Sequence, residues 1–123
     1  MKHDYPLVQW YAKRAEIVWQ TGPNGEKAGR FYINGEEAWN RDYRLGEEVP
    51  SSINNPSYFL TNGRMGSCGH SSLTNFVILR LMGYEAKICG NNTHAWVEAI
   101  IDGGDFEVNF NNVYENRIPD VWG

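Results

Sequence analysis

A chain of 123 residues, 41% hydrophobic and 21% charged, has an ordinary globular composition and fits one domain with material for a core. Its formal net charge of -4 argues against nucleic acid as a partner, because a phosphate-binding surface is usually basic. Cys68 and Cys89 are too few for a disulfide framework, the start MKHDYPLVQW lacks the apolar run of a signal peptide, and the longest apolar run, residues 76–79, is far too short to span a bilayer. The expectation is a cytoplasmic protein with reduced thiols, no membrane association and no cofactor.

Residues 5–20 carry Leu7, Trp10, Tyr11, Ile17 and Val18 at roughly helical spacing, and Gly22-Pro23-Asn24-Gly25 ends that segment. Phe31-Tyr32-Ile33 followed by Asn34-Gly35 reads as a short strand and turn. Residues 36–61 are polar, contain Pro50 and Pro56 and show no period, which predicts a long irregular stretch. A helix begins at Ser67 or Cys68. In it Leu73, Phe76, Val77, Arg80 and Leu81 share a stripe, and Gly83 is its stop. Residues 84–89 read as a strand broken by Gly90-Asn91-Asn92, and residues 95–101 as a second strand. Asp102-Gly103-Gly104 is a hairpin turn, after which Phe106, Val108 and Phe110 alternate with Asp105, Glu107 and Asn109. The predicted class is α+β. A helix carrying Cys68 packs on an antiparallel sheet, within a single domain whose N-terminal part is helical and irregular.

The chemistry lies in the order of three residues. Cys68 stands at a helix start in Gly66-Ser67-Cys68-Gly69, His94 opens a strand, and Asn109 lies on the next. A thiol is a strong nucleophile only as thiolate, and a helix N-terminus or a nearby imidazolium lowers its pKa. Cys68 is therefore the candidate nucleophile and His94 the candidate base and proton donor. Asn109 is the group that would orient the imidazole. Alternation puts Asn109 on the face opposite Phe106, Val108 and Phe110, and the spacing to His94 calls for a diagonal or bulged pairing. An oxyanion needs donors. The unpaired backbone N–H of Cys68 is one, and Asn62, on the Gly-rich approach to the helix, is a candidate for the second.

This ordered set resembles the transglutaminase-like superfamily, whose fold is related to papain. The likeness rests on Gly66-Ser67-Cys68-Gly69, the helix end Leu79-Arg80-Leu81-Met82-Gly83-Tyr84, His94-Ala95-Trp96-Val97-Glu98 and Glu107-Val108-Asn109. It implies a papain-like, transglutaminase-like core over about residues 62–112 of a domain spanning residues 1–123. It also implies a catalytic set of Cys68, His94 and Asn109, where position 109 is Asp in the family and Asn here. That departure is papain-like and removes a negative charge beside the histidine. The implied activity is thiol-dependent attack on the amide bond of a peptide or protein substrate. Hydrolysis is favoured, because nothing in the chain encodes an amine site. The alternatives are glutamine acyl transfer and a catalytically inactive binding domain of the same fold.

Plainer assignments stand beside these. Alone, Cys68 reads as a small buried hydrophobe, His94 as a half-buried strand residue, and Asn109 or Asn62 as turn residues. Asp102 and Asp105 compete with Asn109 for the histidine. Trp96 and Cys89 read as structural, and Glu47-Glu48 as a solvated loop. Cys68, His70, Cys89 and His94 are also four possible zinc ligands. No Cys-x-x-Cys supports that set, and the one-residue gap between Cys68 and His70 is unusual for a structural site.

Overall fold

The computed structural model describes residues 5–23, 25–39 and 68–115. The described elements run in the order α1 (Tyr5–Ala12), β1 (Ala15–Thr21), β2 (Lys27–Ile33), β3 (Glu36–Glu37), α2 (Cys68–Leu81), β4 (Glu85–Gly90), β5 (Ala95–Ile101), β6 (Gly104–Asn109) and β7 (Asn112–Glu115). The protein is α+β; the described residues form two helices and one antiparallel sheet of seven strands ordered β1-β2-β7-β6-β5-β4, β3 pairing with β2.

The expected meander after the Cys68 helix is present. β4, β5, β6 and β7 are successive neighbours in the sheet. The N-terminal part departs from expectation. The segment 5–20 is not one helix but a helix over Tyr5–Ala12 and then a strand over Ala15–Thr21. The physical reason is a change of period. From Ala15 onward Ile17 and Trp19 are partly buried, whereas Glu16, Val18 and Gln20 are exposed. A period of two with two adjacent β-branched residues favours a strand. β1 then pairs with β2 along its whole length, from Ala15↔Ile33 to Thr21↔Lys27. β2 in turn pairs with β7 through Ala28↔Tyr114, Gly29↔Val113 and Arg30↔Asn112. The strand expected at residues 31–33 and the turn expected at Asn34-Gly35 are present, the strand as the end of a longer β2, while β1 and β3 are strands that were not expected. Residues 40–61 of the stretch expected to be irregular lie outside the described residues.

Turn chemistry pins the register. Asn34 and Gly35 have φ of 55° and 80°, and Asp102 and Gly103 have φ of 53° and 82°. Both pairs are two-residue loops of the type I′ geometry that matches strand twist, and Asp or Asn before Gly is the pair that adopts it most readily. The β5–β6 hairpin therefore closes as Ile101↔Gly104 and runs to Val97↔Val108.

One face of the sheet carries the core. Phe31, Val97, Val108 and Val113 are almost wholly buried, joined by Ile78 and Leu79 of α2 and Val8 of α1. Each such side chain contributes about 1.5–3 kcal/mol by leaving water. The helix presents a different side to the sheet from the stripe expected. Ser71, Thr74, Asn75, Ile78 and Leu79 are buried, whereas Leu73, Phe76 and Val77 are only partly covered and Arg80 is exposed. Only the C-terminal half of the buried side is apolar. Its N-terminal half is polar, so apolar periodicity does not reveal it. No helix among the described residues is long and apolar enough to cross a membrane.

Candidate active site

Cys68 is the first residue of α2, half-buried and not in a disulfide. The first amides of a helix have no intrahelical acceptor, and the dipole there favours an anion. The Cys68 carbonyl accepts the hydroxyls of Ser71 and Ser72 at 3.2 and 2.6 Å. These serines, buried on a polar helix face, are thereby satisfied within the first turn. The helix packs on β4, β5 and β6. Asn75 Nδ2 donates to the carbonyl of Phe110 at 3.1 Å, which ties the cysteine helix to the turn just after Asn109.

His94 ends a tight loop built by Asn91. The Asn91 side-chain oxygen accepts the backbone N–H groups of Thr93 and His94, each at 2.9 Å, and the Thr93 hydroxyl at 3.1 Å. The Asn91 N–H returns to the His94 carbonyl at 2.9 Å. This Asx turn fixes the backbone from which the imidazole projects. The ring lies near-parallel to Trp96, centroids 5.8 Å apart, and tilted against Phe110 at 5.9 Å.

Nε2 of His94 is 3.1 Å from Oδ1 of Asn109. The ladder of β5 and β6 ends at Val97↔Val108, and one further step sets Asn109 beside Trp96. His94 lies two residues before Trp96, so the contact is diagonal. Asp102, by contrast, is in the turn that closes the other end of this hairpin, and Asp105 pairs with Ile100 near that end.

The amide has a second side. Glu107, two residues back on the same face, is only 3% exposed and accepts the Tyr114 hydroxyl at 2.6 Å. Burial pushes the Glu107 carboxyl up and Glu98 adds to this. Hydrogen bonds from Tyr114 and Asn109 and the charge of His94 pull it back. Tyr114 is raised to about 12, first by burial and then by its bond to Glu107, while a hydrogen bond from Asn109 favours its anion. The side-chain oxygen of Asn109 faces the His94 ring, and an amide oxygen only accepts. Nε2 must then carry the proton, which leaves Nδ1 as the basic nitrogen of the neutral ring.

The structure brings His94 and Asn109 together and seats α2 on their strands. Among the described residues no hydrogen bond joins the Cys68 thiol to His94. Asn62 lies outside the described residues. Cys89, opposite Trp96 on β4, has its thiol pushed up by burial and then by Glu98. Cys68, His70, Cys89 and His94 do not converge, and no group of three or more His, Cys, Asp or Glu able to hold a metal occurs among the described residues.

Sequence reading passes over four residues that build this site. Asn91 has a local signal, an Asn three residues before the histidine with a Thr between them. Glu107 has the same parity as Asn109, but the sequence does not disclose that its carboxyl is covered. Tyr114 and Asn111 arrive through β7 and its turn. Asn111 is buried and its Nδ2 donates to the carbonyl of Trp39 at 2.8 Å, clamping the chain where β3 ends. Trp39 in turn packs edge-on against Phe110, centroids 4.7 Å apart. Comparison with known proteins adds no relative: no family model matches the chain, and neither a curated protein nor a solved structure is significantly similar to it.

Proposed function

We propose that the protein is a thiol-dependent amide hydrolase of the papain-related, transglutaminase-like type, working through Cys68, His94 and Asn109. The observation that carries the reading is the 3.1 Å bond from His94 Nε2 to Asn109 Oδ1, made where β5 begins and β6 ends, two of the strands on which the cysteine helix rests. It fixes the tautomer with Nδ1 basic, the form needed to take a proton from a thiol.

In this reading the Cys68 thiolate attacks the amide carbonyl carbon. The oxyanion draws on the free N–H groups at the start of α2, with Asn62 as a second donor. Imidazolium then protonates the leaving amine and an acyl thioester remains on Sγ. Water, deprotonated by His94, attacks the thioester and releases the acid and the thiolate. The substrate is a peptide or protein amide. The thiol must stay reduced, which fits a reducing compartment such as the cytoplasm.

The experiment is incubation of the chain with peptide and glutamine-containing substrates, with and without a labelled primary amine, and quantitation of acid and amine products. Acid release that vanishes in Cys68→Ala supports hydrolysis. Dominant Cys68-dependent amine incorporation would move the assignment to a transferase. No turnover in any arm would move it to an inactive binding domain.

A further inference from the structure

We propose that the free edge of β4 is a self-association surface. A second copy of this chain lies antiparallel along it, about a two-fold axis at Ala86, with each Glu85 facing the Lys87 of the other copy. This surface is separate from the chemistry of Cys68 and His94.

β4 ends the sheet, and among the described residues only β5 pairs with it. That pairing is regular, from Glu85↔Ile100 to Gly90↔Ala95. The Asn91 amide donates to the His94 carbonyl at 2.9 Å, and bonding in an antiparallel ladder alternates from residue to residue. Glu85, Lys87 and Cys89 therefore bond inward to β5, whereas Ala86, Ile88 and Gly90 turn their N–H and C=O groups outward. The strand has neither a proline nor a bulge, two devices that keep such an edge from pairing. Ile88 is 44% exposed and the Lys87 side chain 73%, so the edge is open.

Charge decides what fits it. A lone lysine discourages edge pairing, but Glu85 stands two residues from Lys87 on the same face. A two-fold axis at Glu85 or at Lys87 sets like charges opposite each other, and an axis at Ile88 sets Lys87 against Cys89. An axis at Ala86 sets Glu85 against Lys87 twice. Both pairs fall at non-hydrogen-bonded positions, where Cα atoms are about 4.5 Å apart and side chains meet most closely. The same register opposes Ile88 to Tyr84, which is packed partly against the core, and Cys89 to Gly83, which has no side chain to obstruct it. The two Ala86 residues exchange backbone bonds across the axis. Each Ile88 N–H reaches the Tyr84 carbonyl, the Tyr84 N–H being bonded already to Leu79 at 3.1 Å. Lys87 is available, since its exposed pair with Glu98 spans 3.7 Å and such pairs contribute little. The opposite edge, β1, carries Glu16 and no base, and offers no such match. The two sheets become one, with the His94 loops at opposite ends of the junction. One short strand is a small interface, so the dimer is weak.

Sedimentation equilibrium of the full chain over a range of concentrations tests this. The parent should show a monomer–dimer equilibrium that weakens with added salt. Lys87→Glu and Glu85→Lys each turn two attractive pairs into repulsive ones, and each should weaken self-association about tenfold or more. Glu85→Lys makes the chain less acidic, so general repulsion between copies cannot account for its loss. Mixing the two single variants restores opposite charges across the axis and should give a heterodimer. The double variant, Glu85→Lys with Lys87→Glu, should dimerise like the parent. Both positions are exposed, and circular dichroism checks that each variant keeps the parent fold. A parent that stays monomeric up to about 1 mM, the affinity of the weakest specific complexes, overturns the proposal. So does a dimer that either single variant leaves intact, which forms through another surface. So does a loss that neither mixing nor the double variant restores, because the register is then not the one centred on Ala86.

Discussion

The Asn109 side-chain oxygen meets Nε2 of His94 at 3.1 Å although the two residues are not opposite one another in the β5–β6 ladder. The contact is possible because the histidine sits just before β5, on the loop that Asn91 closes, where the chain is not committed to strand geometry. The consequence is an imidazole held at three places: by its backbone, by the amide at Nε2, and by the rings of Trp96 and Phe110.

That redundancy sets the expected effect of removing the amide. General acid–base catalysis contributes about 10²–10⁴-fold. With the aromatic rings still holding the imidazole, Asn109→Ala should forfeit only the low end of that range, about a hundredfold or less in kcat/KM. Cys68→Ala should abolish turnover. Steady-state kinetics on a peptide amide compares the two. An Asn109→Ala variant as dead as Cys68→Ala would show that the rings do not hold the imidazole and that its tautomer governs the rate.

Asn91 should matter for both fold and turnover. Its side chain satisfies two backbone N–H groups and one hydroxyl of the His94 loop. A net hydrogen bond contributes about 1 kcal/mol, and these are exposed, so Asn91→Ala should lose about 1–2 kcal/mol of stability in urea unfolding. Asn91→Asp keeps the acceptor and should recover most of it. If both variants unfold like the parent, the turn is set by Gly90 and the strand ends rather than by the Asn91 side chain.

What the sequence made legible follows from locality. Strands β4, β5 and β6, the Asp102-Gly103 turn and the α2 boundaries at Cys68 and near Gly83 are written in short-range period and turn residues. The side of the sheet that Asn109 occupies was legible for the same reason, and with it a reachable His94. The first strand was not, because Leu7, Trp10, Tyr11, Ile17 and Val18 suit a helix until pairing with β2 is known. β7 was not, because four residues beginning at an Asn carry almost no strand signal. The buried side of α2 was hidden by its polar first half, whose burial depends on Cys68 and Phe110 carbonyls that accept from it. The charge on Glu107 is visible in the sequence, but its burial and its bond from the Tyr114 hydroxyl exist only once β6 and β7 pair as Glu107↔Tyr114.

Phe110 offers a test of strain beside the candidate site. It occupies the first position of the β6–β7 turn with φ of 55°, a conformation that a bulky residue adopts only when its surroundings impose it. Its ring packs on Trp39 and His94, and its carbonyl accepts from Asn75. Both Phe110→Ala and Phe110→Gly lose a partly buried ring, at about 2 kcal/mol. Only glycine also relieves the backbone, so Phe110→Gly should be about 1 kcal/mol more stable than Phe110→Ala, the reverse of the order in ordinary strand positions. Equilibrium urea unfolding measures both. An alanine variant at least as stable as the glycine variant would mean the turn relaxes once the ring is gone.

The last prediction concerns pH and follows from the covered carboxylate. Burial is the largest influence on Glu107 and raises its pKa, so the folded state binds this proton more tightly than the unfolded chain does. The group's contribution to stability is therefore fully present below the ordinary carboxylate pKa and is lost as pH rises through the raised value. Tyr114, raised to about 12, repeats the pattern at the alkaline end: its contribution is intact below about 10 and is lost between there and about 12. Glu107→Gln has no proton to release. It should match or fall below the parent at acid pH, then gain on it through the carboxylate range and exceed it at neutral pH by of order 1 kcal/mol. Tyr114→Phe should remove the alkaline step and, because the hydroxyl that pulls the Glu107 carboxyl back is gone, enlarge the step in the carboxylate range. Urea unfolding of the three proteins across pH separates these contributions. A Glu107→Gln variant that is less stable than the parent by the same amount at every pH would show that the carboxylate is held without cost in the folded state, its burial fully offset by the hydrogen bond from Tyr114.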